Sequence, residues 1–257
     1  TVPVVPKSAI LKIGGNLILA EQSSDGEFDP AALLGGGGIS QTSQIGILNA
    51  IQAIEKAAED PAIKFIYINP TNISGAITHL EELRSALVKF KSSGKAIVSY
   101  AESYSQGGYY LSSVADKIYV HPYGGNMVFG VSSSLTFFKG ALDKLGVQVQ
   151  LIRHGKYKSA GEQFVNTNIS EANREQNQAM ISSLWQSISE DICESRGFDL
   201  KTFNAHVNNL SATEAKEMVE AGFADGLMTR DEMTAELTGL FGVEDEKDVK
   251  MITLDNY

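Results

Sequence analysis

The 257 residues, 43% hydrophobic and 20% charged with 24 glycines, have the composition of a globular α/β chain and exclude a disordered or fibrous one. A net charge of −10 with no basic block offers nothing to a phosphate backbone, so no nucleic-acid partner is expected. One cysteine, Cys193, rules out an intrachain disulfide and thiolate-held zinc, and no run of about 18 apolar residues provides a membrane span. Residues 1–6 carry neither an initiator Met nor a signal-peptide pattern, which predicts a piece of a longer protein or a processed form.

Residues 8–13 are a predicted strand ending at Gly14-Gly15, and residues 21–42 a polar loop, predicted flexible, that contains the glycine run 35–38. A helix is predicted from about Gln44, with Ile45, Leu48, Ile51 and Ile54 on one face and Asp60-Pro61 as its stop. The β-branched run 63–69 reads as a buried strand. A second helix places Ile77, Leu80, Leu83 and Leu87 on one face and ends at Gly94, a C-cap glycine. Strands follow at 95–101 and 117–121, with a short glycine-initiated helix at 106–114 between them. The second half continues with a helix at 135–145, a strand at 147–153 and a long helix at 170–196 capped by Ser170. A capping box at 211–214 opens one more helix, closed by Gly222, and a last strand lies at 249–253. Strands alternating with helices imply crossover connections, a largely parallel sheet and one domain over residues 1–257.

The glycine run 35–38 lacks the Gly-Lys-Ser/Thr that a phosphate loop requires, and Gly155-Lys156 fails the same test. His79, His121, His154 and His206 show no metal-ligand spacing, so no metal and no cofactor is expected, nor a Ser-His-Asp triad. Two segments remain. In 101–110, Ala-Glu-Ser-Tyr-Ser-Gln-Gly-Gly-Tyr-Tyr, a strand enters a helix through Gly107-Gly108. Such an elbow aims free helix N–H groups at a developing oxyanion, or simply lets helix and sheet pack closely. In 153–160, Arg-His-Gly-Lys-Tyr-Lys-Ser-Ala, a lysine follows a predicted strand. As a general base it must lose its proton near neutral pH, from an ordinary pKa of about 10.4; the other reading is a solvated surface lysine.

Together these segments resemble the signal peptide peptidase A (protease IV) family, bacterial membrane-attached Ser–Lys peptidases of the ClpP/crotonase-like fold. The likeness rests on Asp60-Pro61, Ile73-Ser74-Gly75-Ala76, the Gln106-Gly107-Gly108-Tyr109-Tyr110-Leu111 elbow with Ala115-Asp116-Lys117-Ile118, the block Gly155-Lys156-Tyr157-Lys158-Ser159-Ala160, and the tail Ala221-Gly222-Phe223-Ala224-Asp225. It covers the chain from about Ser8 onward and matches the amino-terminal half of the family's long, two-half form. The resemblance implies that Lys158, not Lys156, is the general base. It also implies that the nucleophilic serine belongs immediately before the paired glycines, where this chain has Gln106, with Ser105 one residue early.

The implied protein is therefore the lysine-contributing half of an acyl-enzyme peptidase. Its serine would come from a carboxy-terminal half, Gly75 and Gly107 would be vestigial, and this piece alone would be inactive. Signal peptides and other apolar peptides are the implied substrates, a ring-like homo-oligomer such as a tetramer the implied assembly, and the periplasmic side of the bacterial inner membrane the implied location. Two other readings compete: a scaffold half that only builds the ring, and a crotonase-type acyl-CoA enzyme. The sequence offers the latter neither carboxylates for the acyl carbon nor a basic patch for CoA phosphates.

Overall fold

Short β-branched runs alternate with amphipathic helices along the first half of the chain, and each helix returns the backbone so that consecutive strands run in parallel. The structure, a computed structural model, describes residues 6–23 and 43–257; the glycine run 35–38 and most of the loop expected at 21–42 lie outside the described residues. Two units are distinguished, one formed by Thr1–Phe129 with Ile192–Tyr257 and the other by Gly130–Asp191.

The larger unit begins with β1 (Ala9–Gly14), β2 (Leu17–Ala20), β3 (Ser43–Gly46), α1 (Ile47–Glu59), β4 (Ile63–Asn69), β5 (Ile73–Ser74) and α2 (Ile77–Phe90). It continues with β6 (Ile97–Ser105), α3 (Gln106–Ser112) and β7 (Lys117–Met127). The smaller unit holds α4 (Lys139–Lys144), α5 (Glu162–Val165) and most of α6 (Glu171–Arg196). The chain then completes the larger unit with α7 (Leu200–Asn209), α8 (Ala215–Glu220), β8 (Gly226–Leu227), α9 (Arg230–Phe241) and β9 (Met251–Thr253).

Six strands form a parallel sheet in the order β8-β7-β6-β4-β1-β9, and β3-β2-β5 form a second, also parallel. The α/β architecture with a parallel sheet and crossover helices is thus the one the sequence implies. In β4 only Lys64 is exposed, as befits a strand covered on both faces. Alternation sorts the two layers. Phe65 and Tyr67 of β4 and Val98 and Tyr100 of β6 pack with Ile10 against Met233 and Leu237 of α9. On the opposite side of β6, the buried Ser99 hydroxyl donates to Ser112 Oγ of α3 at 2.9 Å. Full burial of side chains such as Phe65 or Leu237 stabilises by about 1.5–3 kcal/mol each.

Several sequence expectations are corrected. Residues 43–46 are a strand rather than the first turn of α1, because their backbone pairs with β2. The helix expected at 135–145 contracts to Lys139–Lys144, since the Phe138 N–H donates to the Gln163 carbonyl at 2.7 Å instead of entering a helix. The strand expected at 147–153 is absent. A strand exists only as part of a ladder, and no backbone–backbone hydrogen bond reaches residues 148–152 among the described residues. The cap of α8 is Glu214 with Glu217, which accepts from the Thr213 and Glu214 N–H groups, while Ser211 Oγ pairs with His206 Nδ1.

Candidate active site

The elbow lies in the larger unit. β6 runs to Ser105 and α3 starts at Gln106. Ser105 is the N-cap, its Oγ accepting from the Gly108 N–H at 3.0 Å, which satisfies one of the helix's orphan donors. Gln106 Oε1 accepts from the Phe129 N–H at 3.1 Å. A Cβ on Gly108 would lie 3.0 Å from Ser105 Oγ and 3.2 Å from Pro70 Cβ, and one on Gly107 would lie 3.0 Å from Leu80 Cδ1. The paired glycines let α3 sit this close to its neighbours. Tyr109 is fully buried and donates through its hydroxyl to the Phe223 carbonyl at 2.9 Å. The tail segment 221–225 therefore packs on the elbow helix, and Asp225 Oδ2 accepts from the Ile118 N–H of β7 at 2.8 Å.

The lysine block lies in the smaller unit. Gly155 turns the chain at φ +107°, a conformation that a residue with a side chain adopts only under strain. The Lys158 N–H donates across this turn to the Gly155 carbonyl at 3.4 Å. Lys158 is exposed and lines an open cleft of about 480 Å³ with Ile152, His154, Tyr157 and Ser159 among its other walls. Lys156 points elsewhere, its Nζ 5.2 Å from the centre of the Tyr157 ring, whose hydroxyl donates to Glu175 Oε2 at 3.2 Å.

Beneath this loop lies a carboxylate that sequence reasoning missed. Glu162, the first residue of α5, is 1% exposed. Its Oε1 accepts from Arg153 Nη1 at 2.8 Å and Ser170 Oγ at 2.7 Å, and its Oε2 from Asn173 Nδ2 at 3.2 Å. The Arg153 hydrogen bond, with those of Ser170 and Asn173, holds this carboxyl at about 2 despite burial, which opposes ionisation. Arg153 Nη1 also donates to the Lys158 carbonyl at 3.1 Å. Ser170 caps α6, accepting from the Asn173 N–H at 3.3 Å. No spacing rule announces Glu162, which reads as one more acidic residue in a polar stretch; only burial reveals it.

The smaller unit also exposes Leu145 (76%) and Ile152 (89%). Among its described residues, Ala172 and Ile188 are the hydrophobic side chains that are buried. The histidines engage locally: His79 Nδ1 pairs with the Leu19 carbonyl at 3.2 Å, and His121 Nδ1 accepts from the Tyr123 N–H. Among the described residues, no helix is long and apolar enough to cross a membrane.

Comparison with known proteins gives a match to the model of peptidase family S49 over residues 89–244, more than half the chain. The chain is 30% identical to Protease 4 of Haemophilus influenzae over 222 residues, covering 83% of this chain and 36% of that protein. Protease 4 of Salmonella typhi is 31% identical over 204 residues, 76% of this chain and 33% of that protein. The chloroplastic serine protease SPPA of Arabidopsis thaliana is 30% identical over 200 residues, 78% of this chain and 29% of that protein. The chain spans about a third of the length of these relatives.

Proposed function

This chain belongs to peptidase family S49, and on that premise we propose that it is the lysine-bearing half of a Ser–Lys endopeptidase whose serine resides in a carboxy-terminal half of the same protein. The observation that carries the reading is the elbow. It is fully built, with capped helix and paired glycines, yet the residue before those glycines is Gln106, whose amide has no acyl-transfer chemistry. Ser105, one residue early, serves as the helix cap. The exposed apolar side chains of the smaller unit suit coverage by that half or by further copies in a ring-like homo-oligomer such as a tetramer.

The chemistry follows from the lysine. A serine hydroxyl from the partner half gives its proton to the neutral Lys158 amine while its oxygen attacks a peptide carbonyl, and the resulting tetrahedral oxyanion collapses to an acyl-enzyme. Lys158 returns the proton to the departing amine, then takes one from the water that hydrolyses the ester. Signal peptides and other apolar segments are the proposed substrates, and the periplasmic face of a bacterial inner membrane the proposed location.

The test uses the complete protein and a peptide substrate. Lys158→Ala and Lys158→Arg are each expected to lower kcat at least about 10³-fold, because arginine stays protonated and alanine has no base. Lys156→Ala is expected to keep most activity. Full activity in both Lys158 variants would instead favour a scaffold role for this half.

A further inference from the structure

A proton carrier on a flexible side chain works only if its backbone is held, since placement must be good to about 0.5 Å. Lysine has four rotatable side-chain bonds, and the peptide that carries Lys158 lies in an exposed turn outside any helix or strand. One contact fixes that peptide from outside the turn: Arg153 Nη1 donates to the Lys158 carbonyl at 3.1 Å. The same nitrogen donates to Glu162 Oε1 at 2.8 Å. Glu162 is in turn gripped by Ser170 Oγ and Asn173 Nδ2 at the start of α6, and its own N–H donates to the Ser159 carbonyl at 2.9 Å.

The loop is thus tied at Lys158, through the Arg153 guanidinium, to one buried carboxylate and so to a long helix, and at Ser159 to the backbone N–H of the same Glu162. Burying a carboxylate in an ion pair is an inefficient way to gain stability, because its desolvation offsets the attraction; the best-attested use of such a pair is to fix one arrangement against others. The arrangement fixed here is that of the lysine block. Lys156, two residues earlier, has no such tie: its ammonium rests over the Tyr157 ring.

We infer that Arg153 and Glu162 are positioning residues for the Lys158 base: the guanidinium, oriented by the buried carboxylate, holds the Lys158 carbonyl and so sets where the amine reaches. The inference rests on the reading of Lys158 as the base. It extends that reading to two side chains that touch neither substrate nor reacting atoms.

The discriminating variant is Arg153→Lys in the complete protein. Lysine retains the charge opposite Glu162 but lacks the planar fork that serves carboxylate and carbonyl together. Arg153 is partly exposed, its side chain at 37%, so the replacement is accommodated. With a quenched-fluorescent apolar peptide, kcat is expected to fall about 10- to 100-fold, the loss that small misplacement of a reacting group produces. KM should stay within about twofold and the thermal midpoint within a few degrees. Glu162→Gln should lower kcat similarly, and the double variant should be no worse than the poorer single one, because both act through one contact.

A kcat for Arg153→Lys within twofold of the parent overturns the inference, as does a loss of kcat that comes with a fall in thermal midpoint of more than a few degrees or with a matching rise in KM. Losses that multiply in the double variant also overturn it. Lys158→Ala, run alongside, separates the two levels: if it stays active, the assignment of the base fails. If it is inactive while Arg153→Lys is fully active, only the positioning role fails.

Discussion

At the scale of single residues, the sequence exposes chemistry more readily than it exposes environment. Lys158 stands out because its block Gly-Lys-Tyr-Lys-Ser-Ala resembles a known motif. Gln106 stands out because it occupies a position where that motif's family has serine. Glu162 is invisible by the same route, since its distinguishing property is a burial that arises only when α5, the start of α6 and Arg153 converge. The hydrogen bonds that enclose it have a measurable signature. The carboxyl is held at about 2, below its ordinary 4.5, chiefly by the Arg153 hydrogen bond. A carboxylate with a depressed folded-state pKa stabilises the fold above its unfolded value and loses that contribution as pH falls through the folded value. Urea unfolding of the parent and Glu162→Gln should therefore differ most at pH 5–7, by about 1.5–3 kcal/mol for hydrogen bonds to a charged group. The two should converge between pH 4.5 and 2. A difference independent of pH would mean that the glutamate acts through packing instead.

At the scale of elements, legibility follows length and self-sufficiency. The run at 63–69 is read residue for residue, because a mostly apolar stretch with three isoleucines and two aromatic residues in seven positions leaves little choice. Gly94, at φ +78°, closes the 3-10 turn 91–93 that follows α2 rather than α2 itself, in the left-handed conformation of a C-cap glycine. The two-residue β5 and the four-residue β2 and β3 carry too few positions to show a period, and they exist through pairing with one another. The pattern Val147, Val149, Leu151 misleads for the complementary reason: it alternates like a strand, yet alternation provides no hydrogen-bonding neighbour. Beyond Ala101, β6 and β7 continue through Ser103↔Gly125 and Ser105↔Met127, past the ends expected at 101 and 121. The tail is held by aromatic packing that no periodicity discloses. Phe223, 1% exposed, lies 5.4 Å from the Tyr109 ring, 5.1 Å from Phe198 and 5.4 Å from Phe203, centre to centre. Phe223→Ala is expected to cost about 3–5 kcal/mol, seen as a lower urea midpoint with an unchanged m-value. A loss below about 1 kcal/mol would mean that the ring cluster repacks without it.

At the scale of the whole molecule, a parallel α/β sheet was legible, while the second sheet, whose short strands β2, β3 and β5 exist by pairing with one another, was not. The proposed division of labour with an absent half makes one further expectation concrete. The 257-residue chain treated with a serine-directed phosphonate should show no mass increase, because serine activation needs a base within hydrogen-bond reach and Ser105 is the cap of α3. The complete protein serves as the positive control. Stoichiometric labelling of Ser103 or Ser105 in the chain alone would end the half-site reading.

The sheet order carries a consequence of another kind, in time. β1 lies between β4 and β9, with Ile10 opposite Met251. About 240 residues separate those partners, so at a synthesis rate of ~5–20 residues per second one flank of β1 waits roughly 10–50 s for its neighbour to emerge from the ribosome. Throughout that interval an apolar strand offers an open row of N–H and C=O groups to any other nascent chain. The sheet order itself thus sets an interval during synthesis in which the β1 edge is open to pairing with other chains.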